Sequence, residues 1–345
     1  MKRQVTKMLG RSGLAPALLA LRRLATSPWV TVLSYHRAAE IGAETEYDGG
    51  VIDVTPAALE EHLVFLKRSC NVVDNDQMIA FLRGGKLPRN PVQLTFDDGY
   101  LDNHDVVLPM LQRHGLTATF FITTSYVDQR RLFWWDRINL LVKTSRKEVL
   151  EIAYPHTMRL PLGPEPTIRA AAIKALCRVV KDHYALDLER FLEQVATAAD
   201  VNLTQEEERR RVDDLLMTWD HVRALRRAGM DVQSHTTTHR ILQTLTREAL
   251  AEELTSSKKT LESVLEEPVR CVSYPTGKPI RSTPHIRDAV RAAGYELGFS
   301  NCTGVNHSWK VDPFDVRRMS TDSAESVGDF GAMIAVPYLT WPGFA

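Results

Sequence analysis

Hydrophobic and polar positions along this chain switch between two periods, and the switches alternate. Short apolar runs of strand type occur at Trp29 to Tyr35, Pro91 to Phe96, Thr117 to Thr123, Met230 to Gln233, Val269 to Tyr274 and Leu297 to Ser300. In PVQLTF, Val92, Leu94 and Phe96 alternate with Gln93 and Thr95, the period of a strand whose two faces differ. Between these runs the apolar residues recur at intervals of three and four. Leu59, Leu63 and Leu66 follow Thr55, a good N-cap, and Pro56, suited to the first helical position. Further helices are predicted over Asp76 to Leu82, Val106 to His114, Asp220 to Ala228, Thr246 to Leu265 and Pro284 to Ala293. Strand alternating with helix predicts parallel strands with helices outside, as an α/β barrel or an open sheet.

The pattern loosens from Asp128 to Leu216, where a proline-rich patch (Pro155 to Pro166) precedes the charged run Gln205 to Asp214. This reads as a largely helical insertion, residues 128–216, set into a barrel made of residues 29–127 and 217–325. Residues 1–28 form an N-terminal helical segment and residues 326–345 a C-terminal tail. At the N-terminus the short apolar run Leu14 to Leu21 contains Pro16 and is closed by Arg22 and Arg23 instead of a small-residue cleavage site. An amphipathic helix on the domain or on a membrane surface is expected, and a cytoplasmic or membrane-peripheral location ahead of secretion. No stretch is long and apolar enough to span a bilayer. Trp134, Trp135 and Trp219, at the two ends of the insertion, are expected to pack it onto the barrel rather than to stack on sugars.

Composition narrows the function classes. The 345 residues carry 43 basic and 43 acidic side chains, so no net field marks the chain for nucleic acid. Cys70, Cys177, Cys271 and Cys302 form no CxxC pair and are expected as free thiols. Chemistry gathers instead at strand ends. Asp97 and Asp98 end one strand beside Gly99, and two adjacent carboxylates there call for a cation or a shared proton. His36 ends another. His235 and His239, in SHTTTHR, would share a face if the segment forms a helical turn, and with one carboxylate they would make a three-ligand metal site with an open position. The loop of VSYPTG could present backbone N–H groups to an oxyanion. In parallel α/β architectures the strand ends form one face, where sites are built.

TFDDGY, SHTTTH and SYPTG, in this order, resemble the first three motifs of the polysaccharide deacetylases, the NodB-homology or carbohydrate esterase family 4 domain, and DVRRM resembles a fourth. The resemblance implies a distorted (β/α) barrel, usually of seven strands, that hydrolyses N-acetyl or O-acetyl groups from a glycan. It implies Asp97 as general base, and Asp98, His235 and His239 as ligands of a divalent ion, commonly zinc, with cobalt, manganese, nickel or iron as alternatives. It also implies Tyr274 as backbone donor to the oxyanion. Two departures stand out: no histidine follows Met319, and Ser273 occupies the place of an orienting arginine. Both resemble family members with an N-terminal YH segment, such as the poly-N-acetylglucosamine deacetylases. In that light His36 becomes the candidate general acid and Arg318 the candidate partner of Asp97. The expected partner is an N-acetylated glycan. A same-fold amidohydrolase acting on a small cyclic amide or imide, and a catalytically silent carbohydrate-binding relative, are the alternative readings.

Overall fold

The computed structural model describes residues 2–22, 29–40, 45–307, 311–321 and 326–340. Parallel strands dominate: β1 (Trp29–Tyr35), β2 (Pro91–Phe96), β3 (Thr119–Ile122), β4 (Asp231–Ser234), β5 (Cys271–Ser273), β6 (Leu297–Ser300) and β7. The last is a stave in two pieces, Val316–Arg317 and Met319–Ser320, broken at Arg318. Each strand pairs in parallel with the next. The ring closes through β7, whose first piece pairs with Phe299 and Ser300 of β6 and whose second pairs with Leu33 and Ser34 of β1. This is a distorted (β/α) barrel of the NodB type.

Alternation along each strand sorts the side chains, as a period of two must. Leu33, Tyr35, Val92, Leu94, Phe96 and Phe120 pack outward into one apolar layer with Leu59, Leu63, Leu66 and Leu254 from the surrounding helices. Their neighbours face the interior, where Val30, Val32, Phe121, Cys271, Phe299 and Val316 cluster with Met78 and Phe81. The helix Asn75–Leu82, begun by a capping box between Asp74 and Gln77, therefore plugs the end at which the strands begin. Its Asn75 bonds to Thr119 and Gln93 inside the barrel. The end at which the strands finish is left to polar residues.

Residues 128–216 carry the helices Trp134–Thr144, Pro166–Asp182, Leu188–Ala199 and Gln205–Asp213 around a second apolar core that includes Leu140, Leu176, Phe191 and Val195. They also carry an antiparallel hairpin, Val149–Ile152 with Met158–Pro161, which the proline-rich composition conceals. Trp134 and Trp135 are buried at the joint with the barrel, and Trp219 is partly buried against the main core. At the termini, Lys2–Ser12 and Ala15–Arg22 pack against a helix at Val327–Ala335. The segment read as a tail is thus helical over its described part, because Phe330, Met333 and Ile334 are core residues. Among the described residues no helix is long and apolar enough to cross a membrane.

Candidate active site

Asp97 is the last inward position of the β2 alternation. Its N–H still follows the sheet, donating to the Tyr35 carbonyl at 2.9 Å. Asp98 would then point outward, but its φ of 76° swings the chain so that both carboxylates face one centre. A non-glycine residue in that region costs on the order of 1–3 kcal/mol, a strain typical of functional sites. Gly99 continues the turn with a φ of 102°, so the turn begins at Asp98 and not at the glycine.

The SHTTTH segment is not a helical turn. Thr236 and His239 have φ of 67° and 54°, and the loop brings the two imidazoles together with ring centroids 4.8 Å apart. Glu253, buried in the middle of the helix Arg247–Leu265, holds this loop by accepting bonds from the N–H of Thr238 (2.5 Å) and from its hydroxyl (2.8 Å). Sequence reasoning missed Glu253, although a lone carboxylate beside Leu254 on an apolar stripe is a signal for such a role.

Asp98, His235 and His239 offer ligand atoms that all lie within 4.8 Å of one another. Asp98 Oδ1 is 3.3 Å from His235 Nε2 and 3.5 Å from His239 Nε2. His235 Nδ1–H donates to the Ser273 carbonyl at 2.9 Å, which turns the Nε2 lone pair toward the centre. Asp98 Oδ1 is buried with no hydrogen-bond donor among the described residues. An orphaned carboxylate oxygen facing two imidazole nitrogens fits a divalent cation, and the two-nitrogen, one-oxygen donor set suits zinc and its neighbours. Burial, with His235 beside it, pushes the His239 imidazole down to about 3, so it stays neutral, as a ligand must. Trp135 packs against its ring at 4.5 Å and Trp134 Nε1–H donates to its carbonyl at 3.3 Å.

Behind this cluster lies a fully buried charged pair. Arg318, freed from sheet pairing by the break in β7, donates from Nη1 to Asp97 Oδ1 and from Nη2 to Asp97 Oδ2, each at 2.8 Å. Nη2 also donates to the Ser273 hydroxyl (2.9 Å), which in turn donates to Asp97 Oδ2 (3.2 Å). Burial alone would raise Asp97, but the Arg318 guanidinium outweighs it and holds the carboxyl well below its ordinary range. The structure therefore brings Arg318 to Asp97 from a distant stretch of chain, with Ser273 as the third member of the contact.

His36 sits just past the end of β1, with a quarter of its side chain exposed. Its N–H and its Nδ1, the latter at 3.0 Å, both bond to Asp53 Oδ2. Burial disfavours its charge, yet Asp53, Asp98 and Asp97 together push the imidazole up to about 10. Asp53 was not singled out in the sequence; it arrives because Ile52–Val54 pairs with Arg37–Ala38 directly after His36.

The oxyanion donor needs correction. The Tyr274 N–H is spent on the Phe299 carbonyl at 2.9 Å as β5 continues its pairing, and its hydroxyl donates to the Phe314 carbonyl at 2.8 Å. Two residues on, Thr276 has a φ of 56°, and its N–H has no acceptor among the described residues. Gly277 makes that turn: its φ is 65°, and a Cβ there would lie 2.2 Å from the Asn301 Cβ. Thr276 is therefore the donor the VSYPTG loop leaves free.

Comparison with known proteins bears on this constellation. Over 111 residues the chain is 32% identical to the poly-beta-1,6-N-acetyl-D-glucosamine N-deacetylase of Escherichia coli K12, a stretch covering 30% of this chain and 16% of that protein. Among solved structures, the Streptococcus pyogenes deacetylase PplD in complex with acetate superposes with a TM-score of 0.57 at 14% identity, over 89% of this chain and 97% of its own. IcaB from Ammonifex degensii gives 0.56 at 16% identity, over 90% and 98%. At such identities these likenesses speak for the fold. The family model for polysaccharide deacetylases matches residues 84–176 and 181–298, which include Asp97, Asp98, His235 and His239 but neither His36 nor Arg318. More than half of the chain is covered, and the chain belongs to the polysaccharide deacetylase family, whose members are hydrolases of carbon–nitrogen bonds other than peptide bonds.

Proposed function

We propose that this protein is a divalent-metal-dependent N-deacetylase of an N-acetylated glycan. The observation that carries the reading is the orphaned Asp98 Oδ1 facing His235 Nε2 and His239 Nε2, beside a second carboxylate braced by a buried arginine. Asp98, His235 and His239 would hold the ion, zinc by preference. When bound, it would supply the positive charge that acidifies water and polarises an acetyl carbonyl.

The chain's own groups divide the remaining work. Asp97, kept ionised and immobile by Arg318 and Ser273, takes the proton from the attacking water. Its depressed proton affinity makes it a weak base, so it depends on water that is already acidified. The free N–H of Thr276 donates to the oxygen on which negative charge develops. His36, held protonated by Asp53 and oriented through Nδ1, delivers a proton from its other ring nitrogen to the departing sugar nitrogen. An amine leaves poorly without that proton.

The test is acetate release from N-acetylglucosamine oligomers by the purified protein. Acetate and free amine should form in equal amounts, and chelation should abolish the reaction until a divalent ion is restored. A chelated protein that keeps its full rate would contradict metal dependence. No acetate from these oligomers, with acetate released from an O-acetylated glycan, would mean that the protein removes O-acetyl groups instead.

A further inference from the structure

Between the barrel and the insertion runs a groove of about 1150 Å³. On the barrel side it is lined by Thr276, the free-N–H residue of the oxyanion loop, and by Ile241, two residues beyond His239. From there it follows the outer face of the helix Pro166–Asp182, where Ala170, Ile173 and Cys177 give an apolar floor.

Charge along this groove is lopsided in a chain whose charges otherwise balance. Six cationic side chains line it against three acidic ones. Of the acids, Glu46 is paired away with Arg211, and the Asp48 carboxylate accepts from the Gly50 N–H. The third, Asp182, is shared between Lys278 at 3.5 Å and Arg178 at 3.8 Å. On the other side of the balance, Lys143 and Arg169 donate to backbone carbonyls, and Lys143 also feels the charges of Asp48 and Asp136. Lys174 and Lys181 make no ion pair among the described residues. Lys174, Arg178 and Lys181 lie along one helix face over about 10 Å. Cations spread in this way suit charges that recur along a chain better than one compact anion.

We propose that this groove receives an acidic stretch of the substrate, so that the natural substrate is a polyanionic N-acetylated polysaccharide with carboxylate-bearing sugars near the acetamido group that is cut. The proposal rests on the deacetylase reading and adds the substrate class. The sugar faces lie on the apolar floor, and the carboxylates meet Lys174, Arg178 and Lys181.

The experiment compares hyaluronan oligosaccharides, which alternate N-acetylglucosamine with glucuronate, against neutral chitin oligosaccharides of equal length. Binding is measured on the full chain at two salt concentrations, and on the non-hydrolysing Asp97→Asn variant, so that it is read apart from turnover. Acidic oligosaccharides should bind about tenfold tighter, an advantage of ~1.4 kcal/mol that shrinks as salt rises. The double variant Lys174→Glu/Lys181→Glu should lose that preference, with its fold certified by a thermal unfolding midpoint like that of the wild type. Equal binding of the two classes by the wild type, or a preference that survives charge reversal, overturns the proposal. Neutral oligomers that are still deacetylated in that case would leave the deacetylase reading standing. Failure of all oligomers to release acetate would strike that reading, while a charge-dependent binding preference would remain in evidence.

Discussion

At the scale of single residues, the site is a contest between burial and charge. Asp97 is wholly enclosed, and burial by itself would raise its proton affinity; Arg318 reverses the sign. Replacing Arg318 with Met removes the bidentate partner and leaves a buried carboxylate without its cation. The acidic limb of the pH dependence of kcat/KM should then move upward by ~1–3 pH units. Arg318→Lys should move it less, because charge is kept while the fork geometry is lost. An acidic limb that stays in place would show that Arg318 does not set the base. His36 is tested by a different split. His36→Ala should lower turnover ~100- to 10,000-fold on an amide substrate while leaving metal stoichiometry intact. Asp53→Asn should fall between, since it leaves the imidazole in place but removes its principal anion. Turnover at the wild-type level in His36→Ala would remove His36 from the mechanism.

At the scale of elements, the strands were legible and the loops that aim the ligands were not. Trp29–Tyr35, Pro91–Phe96 and Leu297–Ser300 fall where the apolar pattern puts them, because a strand buried in a barrel leaves its period in the sequence. Thr55 caps its helix and Pro56 opens it, as local chemistry demands. The oxyanion loop was misread because sequence shows a turn but not which N–H the sheet has already claimed: Tyr274 is spent, and Thr276 is free. The geometry of the His235 to His239 segment stayed open in the sequence for a related reason. A four-residue spacing suggests a helix, yet the loop is built from two left-handed residues and held by Glu253, a contact spanning 15 residues. Metal residues carry a chemical signature, while the residues that position them are fixed only by tertiary packing. Glu253→Ala should therefore weaken metal affinity ~10- to 100-fold without touching a ligand. Unchanged affinity by calorimetric titration would make Glu253 a purely structural residue.

At the scale of the whole molecule, the barrel and the insertion are joined at a buried polar seam. Asp136, on the insertion's first helix, accepts from the Tyr100 hydroxyl at 2.8 Å and from the Asp48 N–H at 2.9 Å. Burial, offset in part by those bonds, pushes its carboxyl from 3.8 up to about 7. Between these values the folded protein holds a proton that the unfolded chain has released, so stability declines as pH rises from about 4 to about 7. The contribution is at most ~1.4 kcal/mol per pH unit. Asp136→Asn, uncharged throughout, should flatten this decline when denaturant midpoints are compared across the window; an identical slope in both proteins would place the pH dependence elsewhere. The same seam carries Trp135, whose Nε1–H donates to the Tyr100 hydroxyl at 2.8 Å and whose ring packs against His239. The insertion is thereby linked to the candidate metal site as well as walling the groove.

The proposed function rests on Asp98, His235 and His239 as a site able to hold one cation. The direct measurement is titration of the metal-free protein with Co(II), followed by visible absorption, for the wild type and for His235→Ala. A d–d spectrum saturating near one equivalent, absent from the variant, is the result predicted here. A wild-type protein that develops no saturable spectrum, or a variant that develops the same one, would contradict the assignment of Asp98, His235 and His239 as a metal centre.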